Sequence, residues 1–295
     1  MRIFAKHLLV NIFSLHNDLI NFTYRHASYE RFCINDPKPR IIHKATVRDR
    51  LLHHAIYRIL YPAFDTTFIF NSFSCRKEKG THKAFQRMIG IVRKVSHNYL
   101  FSCWALKCDI KKFFDSVNHQ VLIDILKSRI DDNLLIDLLT KVIESFAVKP
   151  GKGMPLGNLT SQLFANVYLD PLDKFVKHKL RAKYYLRYAD DFLLFNQGPN
   201  DLLNYLIEIN SFLQSKLKLF LHPNKIILRK INWGIDFVGY VALPYHIRLR
   251  TKTKKRMFKK ICEQNLSSYL GLLKHCNCWR LKNKLKKQIL PFFLG

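Results

Sequence analysis

The chain has 295 residues, 48% of them hydrophobic, enough for a sizeable core in one large multi-part domain or two smaller ones. Its 50 Lys and Arg against 21 Asp and Glu give a net charge of +29, which solubility does not need and which calls for a polyanionic partner, nucleic acid before an anionic membrane surface. No apolar run reaches the length of about 18 residues that a membrane span requires, so no membrane span is expected.

In chain order, the opening MRIFAKHLLVNIFSL starts like a signal peptide. Asn11 and His16 interrupt it and no small-residue cleavage site follows, so secretion is not expected. Residues 1–32 read as helical. Asn35-Asp36-Pro37-Lys38-Pro39 is a turn signal, and Arg40-Ile41-Ile42-His43 follows as a short strand, which predicts a basic β-hairpin tip. Residues 46–63 read as a helix with Thr46 as N-cap and Pro62 closing it, carrying apolar positions at Val47, Leu51, Leu52, Ile56, Ile59 and Leu60. A second helical stretch covers 81–98, opened by Thr81. FSCWALKCD, residues 101–109, reads as a strand ending at Asp109. Helices follow at 118–129, with Asp115 as its expected cap, and at 132–146.

A Gly/Pro-rich loop spans Lys149 to Gly157, and a helix runs from about Thr160 to Leu180. After a hairpin at 184–195 come a turn at Asn196–Asn200, a helix from about 201 to 217 and short strands near 226–230, 235–243 and 246–250. From Lys252 the chain is helical and strongly basic. The seven cysteines are scattered and odd in number; even His275-Cys276-Asn277-Cys278 lacks paired zinc spacing and reads as reduced thiols on or near a helix, which fits a cytoplasmic compartment. Strands and helices mix without βαβ regularity, so the class is α+β.

The hairpin reads Tyr-Tyr-Leu-Arg-Tyr-Ala-Asp-Asp-Phe-Leu-Leu-Phe. Asp190 and Asp191 sit between two runs with the composition of buried strands, and their poor strand propensity places them at the turn. Adjacent carboxylates at the end of an apolar ribbon are costly unless a cation neutralises them, and a hard divalent ion with oxygen ligands, Mg²⁺ first, is the expected one. Asp109 ends another apolar strand. Alone it would read as a cap or turn residue. With the pair it supplies a third acid from a separate segment, as two metals about 3.5–4 Å apart require.

The segments CDIKKFFDSVNH, PLGNLTSQLFANVYLD and RYADDF resemble, in this order, three palm motifs of reverse transcriptases, and the similarity extends from about Asn35 to Lys287. The resemblance implies a right-hand polymerase with an antiparallel palm sheet. Fingers would occupy 1–105, a palm 106–245 with fingers helices at about 118–148, and a helical thumb 246–295. It implies that Asp109 and Asp190 bridge two Mg²⁺ ions, with Mn²⁺ as possible substitute, that Asp191 is their acidic neighbour and that Ile110 joins the metal and substrate contacts. Phe114 matches the bulky side chain that stacks under the sugar and excludes a 2′-hydroxyl; Phe113, Leu156, Gly157, Gln162, Tyr188 and Ala189 complete the implied nucleotide contacts.

Upstream, Arg40 and Arg48 in PRIIHKATVRDRLLHHA resemble the fingers residues that meet the incoming triphosphate, with Lys38 and Lys44 as weaker candidates; any one alone would read as a solvated charge. Arg76 resembles a contact to template phosphate. Lys225 in LHPNKI matches a Lys that donates a proton to pyrophosphate. Phe237, Gly239 and Tyr240 lie in FVGYVA, which resembles a primer-grip hairpin and otherwise reads as a plain strand pair. The basic stretch with Lys252, Lys254, Lys255, Arg256, Lys259 and Lys260 reads as a thumb on the product duplex or as a solvated face.

Most reverse transcriptases carry Gln-Gly at the start of the second motif and Ser-Pro at its end. This chain has LGNLTSQ, which resembles the enzymes of diversity-generating retroelements, as does LSSYLGLLKHCNCWRL. That resemblance implies a bacterial or phage-encoded enzyme that copies a template RNA and misreads its adenines. Its partners would be dNTPs, an RNA/cDNA duplex and a small basic accessory protein forming a homo-oligomeric ring. A group II intron-like or defence-associated reverse transcriptase is the alternative, though nothing after Gly295 would form a maturase or endonuclease domain and no Val-Thr-Gly retron motif is present. A non-catalytic RNA-binding scaffold with the same fold is the alternative of another class.

Overall fold

The computed structural model describes residues 6–35 and 38–289. Its helices are α1 (Leu8–Ile20), α2 (Val47–Asp65), α3 (Thr81–Val95), α4 (Phe113–Ser116), α5 (His119–Lys127), α6 (Asn133–Glu144), α7 (Leu159–Lys174), α8 (Asn200–Lys216), α9 (Thr251–Lys260), α10 (Glu263–Leu273) and α11 (Trp279–Ile289). Its strands are β1 (Glu30–Ile34), β2 (Arg40–Lys44), β3 (Trp104–Asp109), β4 (Tyr185–Tyr188), β5 (Asp191–Asn196), β6 (Ile227–Lys230), β7 (Ile235–Phe237), β8 (Tyr240–Leu243) and β9 (His246–Leu249). The chain forms two compact units.

The first unit takes the chain up to Phe70, Ile110–Arg181 and Glu208–His222. It holds the β1–β2 hairpin, paired antiparallel from Glu30–Lys44 to Ile34–Arg40. The segment Asn35–Pro39 joins these strands; Asp36 and Pro37 of the expected turn are outside the described residues, as are residues 1–5. Among the described residues, the expected helix 1–32 forms over Leu8–Ile20 and does not continue past it. Phe22 turns left-handed at φ 58°, the Thr23 hydroxyl donates to the Asp18 carboxylate, and pairing with β2 then takes residues 30–34 into a strand. Helix α2 begins as expected, with the Thr46 side chain accepting from Asp49 N, but it runs through Pro62 to Asp65. Pro62 cannot donate to Arg58 O, and the buried Tyr61 and Phe64 on either side of it anchor the helix through that missing bond.

Helix α7 is buried on most of its surface, which explains its weak polar pattern. Its Asp170 is fully buried and receives Arg129 and Lys174, the latter at 2.8 Å. The α-helix ends at Lys174 and a π-helical turn, Phe175–Lys179, replaces the last turn expected to reach Leu180, with Phe175 stacked on Phe212 at 4.3 Å. Asn118, not Asp115, caps α5: its side chain accepts from Val121 N, while Asp115 lies exposed in α4.

The second unit takes Asn71–Asp109, Ala182–Ile207 and the chain from Pro223 on. Its main sheet is antiparallel in the order β4-β5-β3-β6. One face buries Ala105, Leu186, Leu193 and Phe195 against Phe85, Met88 and Val92 of α3 and against the second sheet, β7-β8-β9, through Phe237, Tyr240 and Ala242. Met257, Leu273 and Leu285 of the last three helices close this core. Helix α3 opens at Thr81 as expected, with Gly80 at φ 111° in the N-cap position, but it ends at Val95 rather than 98. The strand expected over 101–109 starts only at Trp104, because His97, Asn98 and Tyr99 are all left-handed and Phe101 N returns to Ser96 O.

Candidate active site

Strand β3 delivers Asp109 at its last position, in register with Asp191 at the first position of β5. Register partners in antiparallel strands have Cα atoms about 4.5–5.5 Å apart. Asp190 precedes Asp191 on the two-residue turn that joins β4 to β5, closed by the Tyr188–Asp191 pair. Ala189 opens that turn at φ 54°, a conformation costing an L-residue about 1–2 kcal/mol. Arg187 holds it there. This arginine is fully buried; one guanidinium nitrogen donates to Ala189 O at 3.0 Å and the other to Ser72 Oγ at 3.1 Å. The Arg187 backbone also pairs with Asn71 O and Phe73 N, so the turn is fixed from both main chain and side chain.

Two ammonium groups meet these acids. Lys225 Nζ lies 2.5 Å from Asp109 Oδ2. Lys107 Nζ lies 3.7 Å from Asp191 Oδ2 and donates to Asp236 O at 3.0 Å. They do not balance the charge. Burial first and the Asp109 charge second push Asp190 up from 3.8 to about 6. Asp191 is also raised, by burial, with Lys107 opposing. Both carboxylates thus favour a proton or a cation. As they stand, no three acidic, His or Cys side chains among the described residues close around one point.

The other sequence-predicted residues take their places within their own units. In the second unit, Tyr188 is half-buried, and its hydroxyl is raised by burial and partnered by Ser74. Arg76 donates to Ser72 O at 3.1 Å. Phe237 and Tyr240 are buried, with the Tyr240 hydroxyl donating to Leu272 O at 3.0 Å, and Gly239 takes φ 94° in the β7–β8 turn. Lys252, Lys254, Lys255 and Lys259 are exposed on α9, whose Met257 is buried.

In the first unit, Lys38 and Arg40 are exposed at the tip of the β1–β2 hairpin, and Lys44 pairs with Glu30 at 3.0 Å. Arg48 is engaged by Asp18 and lies 5.3 Å over the Tyr24 ring. Leu156 O accepts from His43 N at 2.9 Å. Gly157, at φ 107°, leaves no room for a Cβ, which would fall 2.6 Å from Ile42 Cγ2. The Asn158 side chain bridges His43 O and Ala45 N, so residues 156–158 clamp strand β2. Phe113 is buried, Phe114 is half-buried with its ring 5.3 Å from that of Phe113, Ile110 is buried and Gln162 is exposed.

Residues 35–242 match the family model "Reverse transcriptase (RNA-dependent DNA polymerase)". The chain belongs to the reverse transcriptase family. It is 23% identical to the Group II intron-encoded protein LtrA of Lactococcus lactis, over 81% of this chain and 49% of that protein. It is 23% identical to Protein YkfC of Escherichia coli, over 79% of this chain and 71% of that protein. It spans only 24% of a COX1/OXI3 intron 2 protein from Saccharomyces cerevisiae, at 26% identity over 48% of this chain. The fold matches telomerase from Candida albicans, solved with a fragment of telomeric RNA, at a TM-score of 0.59 and 14% identity over 92% of this chain and 55% of that chain. Apo telomerase from Candida tropicalis matches at 0.58 and 13% identity, over 80% and 50%. The fold is therefore that of right-hand polymerases.

Reverse transcriptases as a family use divalent metal ions, and the donor set at the end of β3 and β5 fits one: hard carboxylate oxygens only, two of them destabilised as free anions. Sequence reasoning missed Lys107, Arg187 and Asn158. Lys107 carried a readable signal, since it lies two positions before Asp109 and so on the same side of the strand. Arg187 and Asn158 carried none beyond lying inside recognised motifs.

Proposed function

We propose that this chain is an RNA-directed DNA polymerase that copies a template RNA into cDNA by two-metal nucleotidyl transfer. The pairing of Asp109 with Asp191, beside Asp190 on a clamped turn, is the observation that carries this reading. When bound, two divalent ions, Mg²⁺ or Mn²⁺ in its place, would activate the primer 3′-hydroxyl and neutralise the departing pyrophosphate. Asp109, Asp190 and Asp191 would hold them, with Ile110 contributing. Lys225 and Lys107 occupy Asp109 and Asp191 otherwise, and Lys225 would hand a proton to the pyrophosphate. Arg40, Arg48 and Lys38 are the proposed triphosphate contacts, Phe114 the proposed sugar gate, Arg76 a template contact, and the α9 lysines contacts to the duplex backbone. Fingers, palm and thumb would divide as the motifs suggest.

Within the family, LGNLTSQ favours a diversity-generating retroelement enzyme with a ring-forming accessory protein. At Leu156 an aliphatic side chain replaces the usual Gln and removes a polar check on the nucleotide, which would raise errors at template adenines. The intron-encoded relatives favour a group II intron-like enzyme instead. cDNA synthesis by the purified chain on a defined RNA, with every product sequenced, tests both readings. Substitutions concentrated opposite adenine support the first, an even low error rate supports the second, and no cDNA from an otherwise folded protein leaves an RNA-binding scaffold.

A further inference from the structure

Far from the acids, the opposite end of the main sheet carries an exposed aromatic surface. Trp104 starts β3, five residues before Asp109, which is about 17 Å along a strand. Its cross-strand neighbour Lys230 sets Nζ 5.3 Å over the indole, and Trp233 packs edge-on at 6.2 Å and 75°. Trp233 is 62% exposed, yet it does not sit on a loose loop. Its 3₁₀ turn, Ile231–Trp233, is anchored by buried Ile231, whose N–H donates to Cys103 O at 2.9 Å, and is closed by Arg229 donating to Gly234 O at 3.0 Å. Gly234 is required here, because at φ 80° a Cβ would lie 2.9 Å from the Val241 side chain. The fold therefore spends fixed geometry on holding an indole in solvent. Phe101, 60% exposed, lies just upstream, and Arg93 and Lys94 are exposed on the last turn of α3, whose Val95 O accepts from Gln197, next to the Trp104 partner Asn196.

We propose that Trp233, Trp104 and Lys230 form a stacking platform for single-stranded RNA, a second binding surface outside the polymerase centre that would hold the strand away from the reacting end. A rigid indole offers a flat face to any base, the ammonium over its neighbour adds a cation for the phosphate chain, and the net charge of +29 selects a polyanion over an acid-poor protein partner. The inference needs no metal chemistry and stands apart from the polymerase reading.

The test uses the full chain saturated with a primer–template duplex, to which a short fluorescent, unstructured single-stranded RNA is added. Its affinity should fall about tenfold in Trp233→Ala, the loss of one stacked base, and remain near wild type in Trp233→Phe, which keeps a ring. Lys230→Glu should weaken binding and flatten its salt dependence. Circular dichroism and a thermal melt establish that each variant is folded. A 4-thiouridine-substituted RNA should crosslink to the 229–233 segment. Equal affinity for wild type and Trp233→Ala, or crosslinks confined to other segments, overturns the proposal and leaves the patch to a protein partner.

Discussion

Asp109 and Asp191 stand directly opposite each other at the ends of adjacent antiparallel strands. Like charges so placed destabilise a sheet. Lys225 and Lys107 offset the cost only in part, as the raised Asp190 and Asp191 carboxyls show. The same arrangement that attracts cations is therefore a source of instability when none is bound.

That gives a pH prediction. The folded-state value for Asp190, about 6, lies above its ordinary 3.8, so folding favours the protonated acid. Its contribution is fully present below the ordinary value and is lost as pH rises through about 6. In EDTA, thermal stability should fall over this window. Asp190→Asn should remove that part of the slope and melt higher than wild type at neutral pH while losing polymerisation. Mg²⁺ should raise the melting temperature of wild type more than that of the variant. A variant less stable than wild type in EDTA would contradict this account of the turn.

Lys225 competes with any cation for Asp109. Its side chain is nearly half exposed, so Lys225→Ala should cost little stability, about 1 kcal/mol or less. If it is the proton donor, kcat should drop about 100-fold, at the lower end of what general acids contribute. The Mg²⁺ concentration for half-maximal activity should fall, because a competing ammonium is gone. An unchanged kcat would remove Lys225 from the chemistry.

Arg187 acts through the turn rather than on substrate. Arg187→Met strips donors from Ala189 O and Ser72 Oγ in a fully buried setting, and urea unfolding should show a loss of about 2–4 kcal/mol. Ser72→Ala, which removes one of these partners, should cost about 1 kcal/mol. In the surviving folded fraction the half-saturating Mg²⁺ concentration should rise. Wild-type metal dependence in Arg187→Met would show that the turn positions itself.

Leu156 gives a fidelity test. Leu156→Gln should lower errors at template adenines in sequenced cDNA, with little effect on folding, because the clamp to His43 is made by the Leu156 backbone. Unchanged error rates would separate the LGNLTSQ motif from any misreading.

The acids were legible in the sequence because two apolar runs bracket Asp190-Asp191 and the strand pattern before Asp109 is continuous. The hairpin tip and most helices were legible through turn residues and caps such as Thr46. The β1 strand was not, since Glu30–Ile34 is exposed along its length and only its pairing with β2 defines it. The late start of β3 depends on left-handed residues at 97–99 that carry no glycine to announce them. Arg187 was opaque for a related reason: a buried guanidinium is explained by partners such as Ala189 and Ser72, one of which lies more than a hundred residues away.

Single-turnover primer extension on an RNA template, by purified wild type and Asp190→Ala in millimolar Mg²⁺ and in EDTA, addresses the central claim most directly. Wild type should extend only with the ion, and the variant should lose several orders of magnitude in rate while still binding primer–template. Metal-independent extension, or a variant that extends at the wild-type rate, would contradict it.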